Sequence, residues 1–245
     1  MSGLDARDDE LRELMDDPEC DPVRLRRTLE RFGLVNRLVS GWGAVYRRRI
    51  RPLAIARGEI SVLDIGCGGG DVLRRLVALA RRDGIAVRAV GIDPDERSLA
   101  VARRGIRHDD QGGGRGATPA IELRRAHSSD LVAEQGAGGG AFDLVISSHV
   151  LHHLTAAELP AFLADSAALS RGLVLHSDIS RSRAAYAAYA IGITPLAPGS
   201  FLRTDGLRSI RRSWRPDELA ARLPPGWRVE RPAPFRLLAT FEVSP

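Results

Sequence analysis

The chain contains no lysine: all 36 of its basic residues are arginine, against 31 acidic residues, in 245 positions. The net charge of +5 and a pI near 10.1 would suggest a nucleic-acid partner. A skew this complete, alongside abundant alanine and glycine, instead reflects a high-GC genome writing arginine for lysine, so the pI carries little weight. Arg47-Arg48-Arg49, Arg81-Arg82 and Arg211-Arg212 are scattered and lack the interleaved aromatics of a single-strand binder. They read as solvated helix faces, and no nucleic-acid partner is expected. Cysteine is nearly absent. Cys20 and Cys67 form no C-x-x-C pair, which argues against a disulfide scaffold or a zinc framework and for a reducing compartment. Aromatics make up 5% of the chain, so the core has to be aliphatic. The longest uncharged stretch, Ala184 to Leu202, is broken by Gly192, Pro195, Pro198 and Gly199, where a transmembrane segment would be continuous. It reads as a cover over something apolar. The first residues, with Asp5, Asp8, Asp9 and Glu10, are acidic where an export signal is basic and then apolar, so a cytoplasmic location is expected.

Hydrophobic residues at 44% and charged residues at 27% are ordinary for a soluble globular protein. The length suits one domain of about 200 residues with an extension. Residues 1–57 read as an N-terminal helical extension or lid, with Asp21 capping a helix that starts at Pro22 and carries Val23, Leu25, Leu29, Phe32 and Leu34 at helical spacing. From residue 58 the pattern changes. Strands are predicted over Ile60–Ile65, Val87–Asp93, Ile121–Ala126, Phe142–Ser147 and Gly172–Ser177, alternating with helices over Asp71–Arg82, Asp95–Arg104 and Ala156–Leu169. Alternation of this kind implies right-handed crossovers, hence an α/β fold with a doubly wound, mostly parallel sheet. A helix over Arg215–Leu223 and two strands, Trp227–Glu230 and Phe235–Glu242, complete seven strands, the last two as an antiparallel hairpin at the sheet edge. Gly112-Gly113-Gly114 and Gly136–Gly140 read as surface loops, and about 180–212 as an apolar insert.

Gly66-Cys67-Gly68-Gly69-Gly70 lies between the first strand and the first helix of this unit, where doubly wound sheets bind nucleotides. Counting from Gly66, the third glycine of a dinucleotide fingerprint is replaced by Asp71, whose carboxylate would compete with phosphate. Asp64, just before the loop, adds a second negative charge. The pair suits a ligand that is cationic there and carries no phosphate, and S-adenosyl-L-methionine has an ammonium, a sulfonium and no phosphate. Asp93, ending the second strand, is placed to accept hydrogen bonds from both ribose hydroxyls.

Val62-Leu63-Asp64-Ile65-Gly66-Cys67-Gly68-Gly69-Gly70, Gly91-Ile92-Asp93, Ser129-Asp130-Leu131, and Phe142 through Leu154 with its His149-Val150-Leu151-His152-His153 run resemble the successive motifs of class I S-adenosylmethionine-dependent methyltransferases, in family order over about residues 58–180. The resemblance implies a Rossmann-like methyltransferase fold with an N-terminal helical cap. It also implies that Asp64, Gly66, Cys67, Gly68 and Gly70 surround the methionine moiety, that Asp93 with Pro94 holds the ribose, that Ser129, Asp130 and the Leu131 backbone meet the adenine, and that Ser147 lines the cofactor. Arg31–Ser40 and Tyr46-Arg47-Arg48 are similar to the pre-domain helix of ubiquinone/menaquinone-biosynthesis C-methyltransferases.

Methyl transfer from a sulfonium is an in-line displacement in which orientation alone can contribute roughly 7–11 kcal/mol. What remains is deprotonation of the acceptor, and a phenol of pKa about 10 benefits from a histidine base. His149, nearest the strand end, is the expected base, with His176 and Asp178 as a second catalytic pair at the next strand end. The alternative for these histidines is a structural role on backbone or helix ends. No carboxylate or cysteine completes a metal set around His149, His152 and His153, so no metal is expected. Cys67 reads as a buried filler. The acceptor expected is a small aromatic or apolar molecule of phenolic, polyketide-like or quinone-like type, with methylation on oxygen favoured over methylation at an activated ring carbon, which would use the same base, and the chain could pair as a homodimer. A non-catalytic S-adenosylmethionine binder and an RNA methyltransferase are the rival readings.

Overall fold

The structure is a computed structural model and describes residues 3–111, 121–136 and 140–243. The loop assigned to Gly112-Gly113-Gly114 and the centre of the one spanning Gly136–Gly140 lie outside the described residues. Seven strands form one sheet: β1 (Glu59–Ile65), β2 (Ala86–Asp93), β3 (Ile121–Arg125), β4 (Phe142–Ser148), β5 (Ser170–Ile179), β6 (Arg228–Glu230) and β7 (Arg236–Glu242), in the order β3-β2-β1-β4-β5-β7-β6. β7 runs antiparallel to both β5 and β6, and the other pairings are parallel. The order reverses between β1 and β4, which creates the crevice at their carboxyl ends.

The core divides by the period of two along each strand. Val62 and Ile146 pack on one face with Val72, Leu73 and Leu76 of α4 (Asp71–Arg82), while Leu63, Val145 and Val174 pack on the other with Phe162 and Leu163 of α7 (Leu159–Leu169). Each such fully buried aliphatic contributes about 1.5–3 kcal/mol. Before the sheet come α1 (Pro22–Val39), α2 (Trp42–Val45), a π-helical turn over Tyr46–Ile50 and α3 (Arg51–Arg57). Pro22 occupies the first turn of α1, and Asp21 caps it by accepting from Val23 N at 2.8 Å and Arg24 N at 3.1 Å. Trp42, fully buried, donates Nε1–H to Ser148 Oγ at 3.1 Å and so ties this helical layer to the end of β4.

Helix begins only at Pro22, a correction to the expected helical character of the whole of 1–57. The described residues before it are a strap without helix, in a segment where Asp16, Asp17, Pro18 and Asp21 compete with helical bonding. Leu4 is buried with Ala185 and Ile210. Arg7 donates to the carbonyls of Arg212, His152 and Leu154, and Leu14 N and Met15 N donate to Asp205 at 2.8 and 3.0 Å. Arg97 then holds Asp17 O and Pro18 O at 3.0 Å. All these anchors follow carboxyl ends of strands, so the strap crosses the edge where the crevice lies. The insert after β5 folds as α8 (Arg183–Gly192) and α9 (Leu202–Arg212). None of the described helices is long and apolar enough to cross a membrane.

Candidate functional site

Gly66, Gly68 and Gly70 all take positive φ, of 70°, 53° and 72°. At Gly66 a Cβ would lie 2.6 Å from Val150 Cγ2, so no side chain fits. Gly66 N and Cys67 N donate to Ile92 O at 2.8 and 2.9 Å, stitching the loop to β2. Asp93 fastens it further, its Oδ2 accepting from Gly68 N at 2.9 Å and its Oδ1 from Asp95 N at 2.9 Å.

Asp64 is 1% exposed and its Oδ1 has no hydrogen-bond partner. Burial, then Asp71, then Asp93 push its carboxyl well above the ordinary range. Asp71 is itself pushed up by burial, although Asn36 Nδ2 donates to its Oδ2 at 3.0 Å. Asp93 is pushed up by burial too. Asp64 and Asp93, both buried, and the partly buried Asp71 gather three carboxyls around one glycine loop, and one oxygen of Asp64 is without a partner. The same charges, after burial, drive the Cys67 thiol well up, which makes it inert.

Asp130, at the start of α6 (Ser128–Gln135), is exposed, and its Oδ2 accepts from His127 N at 2.8 Å, capping that helix and leaving Oδ1 free. Leu131 is in the core on the α7 side, Ser129 is exposed beside Asp130, and Pro94 lies exposed directly after Asp93 with its carbonyl accepting from Arg125 Nε at 3.1 Å. Ser147 departs from the sequence expectation. It shares the α7 face with Val145, is fully buried, and spends its hydroxyl on His176 Nδ1 at 2.8 Å.

His176 also departs from its assignment as a catalytic residue. Its ring stacks on Trp227 at 5.5 Å and lies 4.8 Å from Phe162, fully buried beneath α7, with burial pushing its pKa down to about 3. Asp178, on the same face one step further along, is buried and committed to neighbouring groups. It accepts from His152 N at 2.9 Å, His152 Nδ1 at 2.9 Å and Ile179 N at 2.7 Å. His149 sits at φ 62°, and its Nε2 accepts from Arg236 at 3.0 Å. With burial first and the Arg236 charge second, its pKa is pushed down to about 3. A ring whose basic nitrogen is committed to a guanidinium is not a free base, so that assignment is corrected as well.

His152 is the hinge of the site. Its Nδ1 faces Asp178, and its Nε2 faces Glu13 Oε1 of the strap at 3.1 Å. Burial opposes its charge, but the two carboxylates outweigh burial and raise its pKa to about 9. Burial likewise disfavours charge on both partners, yet the facing imidazoles hold Glu13 down to about 2 and Asp178 below the ordinary range. The half-exposed His153 places Nε2 3.9 Å from Glu13 Oε1 and Nδ1 3.5 Å from Asp16 Oδ2. Ligand atoms of Glu13, His152 and His153, and of His149, His152 and Asp178, lie within 4.8 Å of one another, so either set could hold a metal ion. The sequence offered no carboxylate for these histidines because Glu13 lies 139 residues before His152. The only local sign of the strap's role is its acidity.

A doubly wound sheet whose switch-point crevice is lined by a glycine loop and carboxylates, with one of them at the end of β2, has the layout of a domain for a cationic adenosyl donor. The chain belongs to the class I S-adenosylmethionine-dependent methyltransferases, and residues 62–171 match the family model described as "Methyltransferase domain". A protein named ubiquinone biosynthesis O-methyltransferase from Rhizobium etli is 34% identical over 173 residues, which are 69% of this chain and 58% of that protein. The chain therefore spans little more than half the length of that relative. Among solved structures, a SAM-dependent methyltransferase from Aquifex aeolicus shares the fold at a TM-score of 0.56 and 15% identity, covering 92% of this chain and 100% of that one. The magnesium protoporphyrin IX methyltransferase of Synechocystis, solved with S-adenosylhomocysteine, aligns at 0.52 and 16% identity, covering 94% and 91%. The residues present fit the class's methyl donor: the unpartnered Asp64 Oδ1 could accept from an ammonium, and each Asp93 oxygen, accepting one bond, keeps a lone pair that could take a ribose hydroxyl.

Proposed function

We propose that the protein transfers the methyl group of S-adenosylmethionine to an oxygen of a small phenolic acceptor of polyketide or quinone type. The observation that supports this most is the buried Asp64, whose Oδ1 has no hydrogen-bond partner, beside Asp71 and Asp93 around the glycine loop. When bound, the donor supplies an electrophilic methyl on a sulfonium. Asp64 anchors its ammonium, Asp93 its ribose, and the free oxygen of Asp130 its adenine. The strap, α1 and the α8–α9 insert act as a lid that keeps water from the reacting centre.

Of the three histidines after β4, His153 has partial solvent access and a ring bonded to no guanidinium, and it takes the role of proton acceptor for the phenol. The name of the Rhizobium etli relative, an O-methyltransferase, favours oxygen over carbon as the methylated atom. In a panel of phenols and hydroquinones incubated with isotope-labelled donor, mass spectrometry is expected to find a product carrying one labelled methyl on oxygen, with turnover of His153→Gln reduced about 100-fold. Absence of any S-adenosylhomocysteine release would favour a pure binder. Turnover that needs RNA and falls steeply with salt would favour a nucleic-acid substrate.

A further inference from the structure

We propose that Arg236 selects acceptors that carry an acidic oxygen, a carboxylate or an acidic phenol, and that the strained residues beside it, His149 and Phe235, shape the subsite. The inference rests on the methyl-transfer reading and names its substrate class. Arg236 opens β7 and pairs with Ile179 at the carboxyl end of β5, so it lies at the crevice edge of the sheet. It is 3% exposed. One amino group donates to the neutral His149 ring at 3.0 Å and the other to Ser177 Oγ at 2.9 Å, while its Nε is buried without a partner. Asp178 acts on it through charge but forms no hydrogen bond with it, being taken up by His152 and Ile179 N.

The contrast with the other buried arginines is informative. Arg181 pairs with Glu218 and Arg212 with Asp16, whereas Arg236 has no ion pair among the described residues. A buried guanidinium bonded only to neutral acceptors is poised for an anion, whose oxygen makes a stronger, charge-assisted bond than imidazole or hydroxyl. The backbone points to the same place. His149 and Phe235, at φ 62° and 60°, are the non-glycine residues with positive φ among the described residues. One is bonded to Arg236 and the other precedes it. Each is held in its turn by β5 and its exit: His149 N donates to Ser177 O at 2.9 Å, and Phe235 O accepts from Ser180 N at 2.7 Å. Two bulky residues held in a costly conformation on either side of one unpaired guanidinium mark a binding site. Phe235, 42% exposed, offers its ring to an aromatic acceptor.

The test measures binding of 4-hydroxybenzoate and its methyl ester to the full chain saturated with S-adenosylhomocysteine, by calorimetry, for wild type, Arg236→Lys and Arg236→Gln. Wild type is expected to bind the acid about tenfold or more tightly than the ester, Arg236→Lys to keep part of that preference, and Arg236→Gln to lose it while ester affinity changes less than about twofold. S-adenosylhomocysteine affinity reports that each variant is folded. If Arg236→Gln does not fold, a weakened preference in Arg236→Lys carries the same conclusion. Equal binding of acid and ester to wild type, binding of neither, or an undiminished preference in the variants overturns the proposal. Methylation of neutral phenols with no acid preference would sink this inference alone, whereas acid binding through Arg236 with no release of S-adenosylhomocysteine from any acceptor would sink the methyl-transfer reading instead.

Discussion

Asp64→Asn is expected to stabilise the ligand-free protein and, in the same molecule, to weaken S-adenosylhomocysteine binding about 100-fold, which corresponds to ~2.7 kcal/mol. The two effects have one cause. Asp64 is buried, its Oδ1 is unpaired, and Asp71 and Asp93 repel its charge. An amide of the same shape removes that repulsion and lowers the desolvation cost, which for a buried ion amounts to several kcal/mol. The ligand's ammonium, however, loses the carboxylate that was waiting for it. Thermal melts of the two proteins with and without ligand read both signs at once. A variant that melts lower and binds normally would show that Asp64 serves the fold and not the ligand.

His152→Ala is expected to lower stability by about 3–5 kcal/mol, because it strands two buried carboxylates that now share one imidazolium. In a chain of this size that is a fall of roughly 10 °C in the thermal midpoint. Glu13 belongs to the strap and Asp178 to β5, so the loss extends to the closure of the crevice, and the strap should become sensitive to limited proteolysis. The pH dependence has a definite sign. With a folded pKa raised to about 9, His152 stabilises the native state fully below its unfolded value, and the contribution is lost as pH rises through about 9. His149 and His176, pushed down to about 3, act oppositely: their contribution is present above the unfolded value and is lost as pH falls. Wild type should therefore lose stability on the alkaline side, and His152→Ala should lack that decline. A variant that melts within about 1 °C of wild type at neutral pH would contradict the buried network.

The parts of the fold legible in the sequence were those with a local periodic signal. The helix Asp71–Arg82 has the predicted limits, since its apolar residues recur at helical spacing between a glycine and Asp83. The hairpin of β6 and β7 is present at the edge, set by the prolines and glycine around it. Helices α8 and α9 were hidden in the insert because alanine, glycine and threonine dilute their apolar stripe, and α6 because Ser128-Ser129-Asp130 reads as a turn. At the site, Asp64, Asp93 and the glycine loop were readable because strand, loop and helix follow one another directly. The histidines were not. Alternation along β5 puts His176 and Asp178 on one face, but only the tertiary structure shows that α7 and Trp227 cover His176. The turn at His149 requires a left-handed residue that sequence rules do not place at histidine, and it aims the ring at Arg236, from the far end of the chain.

Calorimetric titration of S-adenosylmethionine into the wild-type protein, repeated in two buffers of different ionisation enthalpy and against NAD as a competitor, tests the acidic nest most directly. The account predicts saturable binding with release of protons from the raised carboxyls as the ammonium enters, and no displacement by NAD. Binding of NAD in place of S-adenosylmethionine, or S-adenosylmethionine binding that is unchanged in Asp64→Asn and moves no protons, would contradict it.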